Sequence, residues 1–150
     1  MLNILVVDDE EAILYMLTEV LKKYGFNVET ALGGIEGVQK FDEGVFDLVI
    51  TDLCMPGIDG NDLAKHIRNS DRQSTPIIGI SGTSWLMKSN YFNTVLSKPF
   101  SIQTLVDTMH NLAETPSNLT ATGQPGLLPC NSSFNYSLPI IVLDTIILWI

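Results

Sequence analysis

The chain has 150 residues, 45% hydrophobic and 17% charged, which is enough for one globular core and too little for two full domains. Its formal net charge is −9, and its Lys and Arg residues (Lys22, Lys23, Lys40, Lys65, Arg68, Arg72, Lys88, Lys98) are scattered. No basic stripe exists to neutralise phosphates, so direct nucleic-acid binding is not expected. Cys54 and Cys130 lack the spacing of a zinc site or a disulfide framework.

The N-terminus, MLNILVVDDE, lacks the basic start and small-residue cleavage site of a secretory signal, and a cytoplasmic location is expected. Leu2 to Val7 is a continuous apolar run of the kind a strand buried on both faces shows. From Glu11 the period becomes helical (Ile13, Leu14, Leu17, Val20, Leu21, Tyr24), with acids at the start, Lys22 and Lys23 at the end and Gly25 as a stop. Phe26 to Thr30 is a shorter, more polar strand, expected at an edge. Gly34 to Phe41 forms a second helix, with Leu32, Ile35 and Val38 assigned to the core. Asp47 to Thr51 is a second central strand, closed by the turn residues of Cys54-Met55-Pro56-Gly57. Asp59 or Asn61 caps the next helix, whose apolar face is Leu63, Ala64 and Ile67. Pro76 opens the strand Ile77 to Ile80, and a weak helical segment runs from Ser84 to Tyr91. Val95 to Ser97 is the last strand, and Ser101 caps a helix through Ile102, Leu105, Val106, Met109 and Leu112. His66 and His110 fall in helical patterns and read as surface residues, not ligands.

Strand and helix alternate from Leu2 to about Ala113, which argues for an α/β fold, a doubly wound parallel sheet with helices on both faces. The order 2-1-3-4-5 of flavodoxin-like sheets suits five strands, with a ligand site at the gap between strands one and three. The strands ending near Asp8 and Asp52 should be central and adjacent. Asp8, Asp9, Asp52, Ser81 and Lys98 then all emerge at one sheet edge.

Three carboxylates converging in a partly buried cleft disfavour one another's ionisation unless a cation joins them. A donor set of oxygens without His or Cys selects a hard ion, and few protein ligands plus waters suit Mg²⁺ better than Ca²⁺. With Lys98 as a positive point charge and Ser81 as a hydroxyl donor, the edge can neutralise a phosphoryl group in transfer, and a carboxylate such as Asp52 can accept it as an aspartyl phosphate.

The segments LVVDDEE, ITDLCMPGIDG, IIGISG and SKPF, in this order at these strand ends, resemble the receiver domain (CheY-like) of two-component response regulators from about Asn3 to Leu112. The resemblance implies a phosphorelay domain that takes a phosphoryl group from a sensor histidine kinase or phosphotransfer protein onto Asp52, and signals to a downstream protein target by conformational change. It is not an enzyme beyond slow self-dephosphorylation. It further implies Asp9 as a direct Mg²⁺ ligand, Asp8 acting on the metal through water, and the Cys54 backbone carbonyl as a third ligand. Lys98 becomes the phosphate-binding lysine, Ser81 the hydroxyl residue that follows the phosphoryl group, and Lys98-Pro99 a cis peptide. Gly82 keeps the approach to the site open. Two features depart from the family pattern. Val95 stands where receivers usually carry an aromatic residue, and the stretch from Ser81 to Lys98 is short for a crossover, so the fourth helix is expected to be short, frayed or displaced.

Residues 115–137, rich in Ser, Thr, Asn, Pro and Gly, read as a linker after a receiver domain at 1–114. Residues 138–150, LPIIVLDTIILWI, form an apolar segment too short to span a membrane, with β-branched residues that favour a strand or a packed segment; a peripheral membrane anchor is the alternative. This segment or the fourth-helix face offers a route to a homodimer. Asn-x-Ser/Thr triplets at Asn118, Asn131 and Asn135 are chance matches in a cytoplasmic protein. No room remains for an output domain, so a stand-alone receiver or a piece of a longer regulator is expected. Two other functions fit the same residues: a metal-dependent phosphohydrolase, which would need an additional general base, and a non-phosphorylated pseudo-receiver scaffold.

Overall fold

In the computed structural model, residues 1–82 and 90–114 are described. Among the described residues, strands β1 (Asn3–Asp8), β2 (Asn27–Leu32), β3 (Leu48–Asp52) and β4 (Ile77–Ser81) alternate with helices α1 (Glu11–Lys23), α2 (Gly34–Glu43) and α3 (Gly60–Arg68), and β5 (Thr94–Ser97) then leads to α4 (Ile102–Glu114). The strands form one parallel sheet in the order β2-β1-β3-β4-β5. The segment Ser84 to Tyr91 lies outside the described residues up to position 89, and Asn90 and Tyr91 form a turn. Residues 115–150, including Cys130 and the three Asn triplets, also lie outside them.

The strand period of two splits the core. Ile4, Val6, Leu48, Ile50, Ile78 and Ile80 face α1 and α4, where Leu17, Leu21, Leu105 and Met109 cover them. Leu5, Val7, Val49 and Ile77 face α2 and α3 and pack on Phe41, Leu63, Ala64 and Ile67. Burial on both faces explains why β1 and β3 read as unbroken apolar runs. β2, paired only with β1 among the described residues, has the alternating exposure of an edge strand.

Local signals act as their chemistry requires. Gly25, at φ 85°, takes the left-handed conformation that ends α1. Asp59 is the cap of α3, its side chain accepting from the Asp62 N–H at 2.9 Å, and Ser101 Oγ accepts from the Thr104 N–H at 3.1 Å.

The core assignment of Leu32 and Ile35 is corrected. They are 53% and 70% exposed, and only Val38 packs partly against the core. The buried face of α2 is Gly34, Gly37 and Phe41. A Cβ on Gly34 would stand 2.0 Å from the Ile58 carbonyl oxygen, and one on Gly37 would stand 2.9 Å from Val7 Cγ1. The helix is seated by absent side chains, so a count of apolar ones selects the wrong face.

Candidate functional site

The strand register builds the site. Val7 pairs with Thr51, which sets Asp8 beside Asp52 at the next step, while Asp52 pairs with Ile80 and Ser81 with Ser97. Ser81 therefore stands one step above Asp52, and Lys98 one step above Ser81. Two backbone bonds extend the ladder past the strand ends: Leu53 N–H to the Ile80 carbonyl at 2.8 Å and Lys98 N–H to the Ser81 carbonyl at 2.7 Å. Asp8 and Asp52 are the last residues of their strands, not the first of the loops, and both are buried.

Oxygen atoms of Asp8, Asp9 and Asp52, one from each carboxylate, lie within 4.8 Å of one another. Asp52 Oδ2 accepts from Lys98 Nζ at 2.9 Å, and Oδ1 accepts from the Cys54 N–H at 3.0 Å. Asp8 Oδ1 accepts from the Glu10 N–H at 2.9 Å, and Asp9 is exposed. Lys98 and Asp52 keep only 14% and 10% of their side-chain surface. Such a pair is held because each charge, once desolvated, needs the other.

The charge at this edge is unbalanced, with three carboxyl groups against one ammonium. Asp8 registers it. Burial, chiefly, with the charges of Asp52 and Asp9 adding to it, pushes its carboxyl up to about 6 against the opposing effects of the Glu10 amide and Lys98.

Of the sequence-derived candidates, Asp8, Asp9, Asp52 and Lys98 are brought together directly, and Ser81 is fully buried at the adjacent strand end. Cys54 is exposed and free, and its backbone amide holds Asp52. Gly82 is exposed, with nothing within 4 Å of where a Cβ would point, and the Lys98-Pro99 peptide is cis. The histidines are elsewhere: His66 Nε2 lies 2.8 Å from Asp42 Oδ1, and the His110 ring lies 5.5 Å from that of Phe26.

Gly60 was not legible as a site residue. A Cβ there would lie 2.3 Å from the Asp52 carbonyl oxygen, so α3 can start against the end of β3 only with glycine at this position. Gly79, paired with Val95, plays a similar part: its missing side chain leaves room for Leu53 and for the ring of Phe92. An aromatic residue thus lies against β4, although from position 92 and not 95.

The family described as the response regulator receiver domain matches residues 4–110. The chain is a member of that family. Among its curated relatives are the transcriptional regulatory protein TrcR of Mycobacterium tuberculosis, 29% identical over 79% of this chain and 48% of TrcR, and the response regulator ArlR of Staphylococcus aureus, 34% identical over 71% of this chain and 50% of ArlR. The chain thus spans about half the length of these relatives. Among solved structures, TrrA of Thermotoga maritima in complex with Mg²⁺-BeF is 35% identical with a TM-score of 0.70, covering 75% of this chain and 99% of TrrA. TrrA is also known in complex with the histidine kinase ThkA. The receiver domain seen here thus has the five-stranded CheY-like fold and the acidic pocket at its β1 and β3 ends, and it belongs to a family of signalling domains of two-component systems. No helix among the described residues is long and apolar enough to cross a membrane.

Proposed function

We propose that this receiver domain accepts a phosphoryl group on Asp52 from the phosphohistidine of a sensor kinase or phosphotransfer protein and passes the change to a downstream protein. The observation that carries this reading is the position of Asp52 between Asp8 and Asp9 on one side and Lys98 on the other, all at one sheet edge. An Asp52 carboxylate oxygen attacks the phosphorus, the N–P bond breaks, and the departing imidazole nitrogen takes up a proton. The Cys54 N–H fixes the carboxylate plane through Oδ1, and Lys98, already on Oδ2, moves its charge onto the incoming phosphoryl oxygens.

The all-oxygen donor set and its excess of negative charge fit Mg²⁺, which Asp9, Asp52 and the Cys54 carbonyl would hold directly and Asp8 would hold through water. When bound, the ion would neutralise the equatorial oxygens in transfer. Exposure of Asp9 supports its role as the direct ligand, and the Glu10 amide on Asp8 supports the indirect one. Ser81 follows the phosphoryl group, and the change spreads along β4. The complex of TrrA with ThkA supports a kinase partner, and the domain works in the cytoplasm as residues 1–114, followed by a linker and an apolar segment.

The test is intact mass after incubation with acetyl phosphate and Mg²⁺. One phosphoryl adduct is expected, absent in Asp52→Asn and in chelator. Labelling that persists in either case overturns the assignment. Complete lack of labelling favours the scaffold, and rapid multiple turnover favours a phosphohydrolase.

A further inference from the structure

A groove of about 340 Å³ runs between α1 and the β2 edge of the sheet, lined by Glu11, Leu14, Tyr15 and Thr18 of α1, Thr30 and Leu32 of β2, and Glu36 and Lys40 of α2. It is remote in role from the acidic edge, and none of the phosphoryl chemistry uses it. Among the charged side chains of Glu11, Glu36 and Lys40 it exposes two large apolar ones, Tyr15 at 70% and Leu32 at 53%. Inside it, the buried Thr18 hydroxyl has no hydrogen-bond partner among the described residues. Adjacent exposed apolar side chains over an unsatisfied polar group are the marks of a surface that something covers.

The course of the chain says what is near. His110 of α4 lies against Phe26, the residue that leads into β2, and α4 ends at Glu114. The chain therefore leaves the described fold at the foot of the edge strand. From there residues 115–137 precede the segment 138–150, which is apolar apart from Asp144 and Thr145. A linker of that composition spans roughly 25 Å as a coil, ample for a return to the groove of the same chain.

We propose that residues 138–150 fold back on their own receiver domain and seal the groove between α1 and β2. The contact is made through side chains and not by adding a strand. The outward carbonyl of Thr30 is taken by Lys40 Nζ at 2.5 Å, and the outward N–H of Leu32 by Glu36 Oε2 at 2.9 Å, so two of the ladder groups a sixth strand would use beside the groove are already engaged. The Thr18 hydroxyl then meets a polar backbone group of the incoming segment.

Trp149 reports the contact in the full chain once the other tryptophan is removed by Trp85→Phe. In that protein, acrylamide should quench Trp149 several-fold less than it quenches free tryptophan, at every protein concentration tried. Tyr15→Glu and Leu32→Glu, both at exposed positions, should each restore quenching, while Val45→Glu, at an equally exposed site outside the groove, should leave the shielding intact. Far-ultraviolet circular dichroism confirms that the variants remain folded. The proposal is overturned if Trp149 is fully quenchable in the parent, if shielding survives both groove substitutions, or if Val45→Glu abolishes it too. Shielding that appears only on raising the protein concentration identifies a second copy as the cover. Shielding that appears only with phosphatidylcholine vesicles identifies a membrane surface, and either result also overturns the proposal.

Discussion

Asp8 is the residue in which the cost of the site is most visible. Its carboxyl, ordinarily at 3.8, rises to about 6 in the fold, so the folded state holds the proton more tightly than the unfolded chain does. The sign follows directly. The metal-free protein loses stability as pH rises from about 4 through about 6, and the penalty is complete above that window. Asp8→Asn, which cannot ionise, should therefore stabilise the metal-free protein at pH 7.5 by up to about 3 kcal/mol, and the gain should vanish near pH 3.5. Urea melts at the two pH values check this, and an equal gain at both would contradict it. Lys98 should separate charge from metal binding. Asp9→Asn should weaken Mg²⁺ binding more than Asp8→Asn, whereas Lys98→Ala leaves binding intact or slightly tighter, because it deletes a neighbouring positive charge. Titration of Mg²⁺ into the three variants decides between these roles and a common loss of affinity.

At the scale of elements, glycine is what lets the helices reach the sheet. Gly60→Ala drives a Cβ to 2.3 Å from the Asp52 carbonyl, backbone that cannot swing aside, so α3 must lift from the end of β3. The expected loss is roughly 1–3 kcal/mol of stability together with slowed labelling of Asp52, measured by thermal melts and intact mass. An alanine variant with unchanged labelling would show that α3 does not position the site. The same feature marks the boundary of what was legible in the sequence. The strands, the caps Asp59 and Ser101 and the five candidate site residues are written as polar or charged residues ending apolar runs, because a strand covered on both faces has no polar period of its own to obscure them. The seating of α2 is written in Gly34 and Gly37, which carry no side chain to count, and Ile35 was accordingly assigned to the wrong side. Phe92 escaped for a related reason: the space it fills exists only because Gly79 of the facing strand leaves it empty.

For the whole molecule, the three acids make metal binding and folding one equilibrium. If the pocket takes Mg²⁺, the ion binds the folded protein alone, and at a hundredfold excess over its dissociation constant it should add about 2.7 kcal/mol, read as a rise in melting temperature. That rise should shrink below pH 6, where Asp8 keeps its proton and the ion must compete with it. A rise of constant size from pH 5 to 8 would place the binding site elsewhere.

The clasp on the outer strand has a consequence for how this domain behaves in a crowd of its own kind. An unblocked parallel edge offers a row of amides and carbonyls on which other chains can nucleate fibrils. Here Lys40 spans Glu36 and the Thr30 carbonyl, and the bond from Lys40, followed by that from the Leu32 amide, holds the Glu36 carboxyl below the usual range. Glu36 thus keeps its charge into mildly acid solution, where a carboxylate of ordinary strength would begin to let go. The block on this edge should therefore persist while the other surface carboxylates begin to neutralise. A Lys40→Met, Glu36→Gln double variant, with the same fold but a bare edge, should scatter light and bind thioflavin T under conditions in which the parent stays monodisperse.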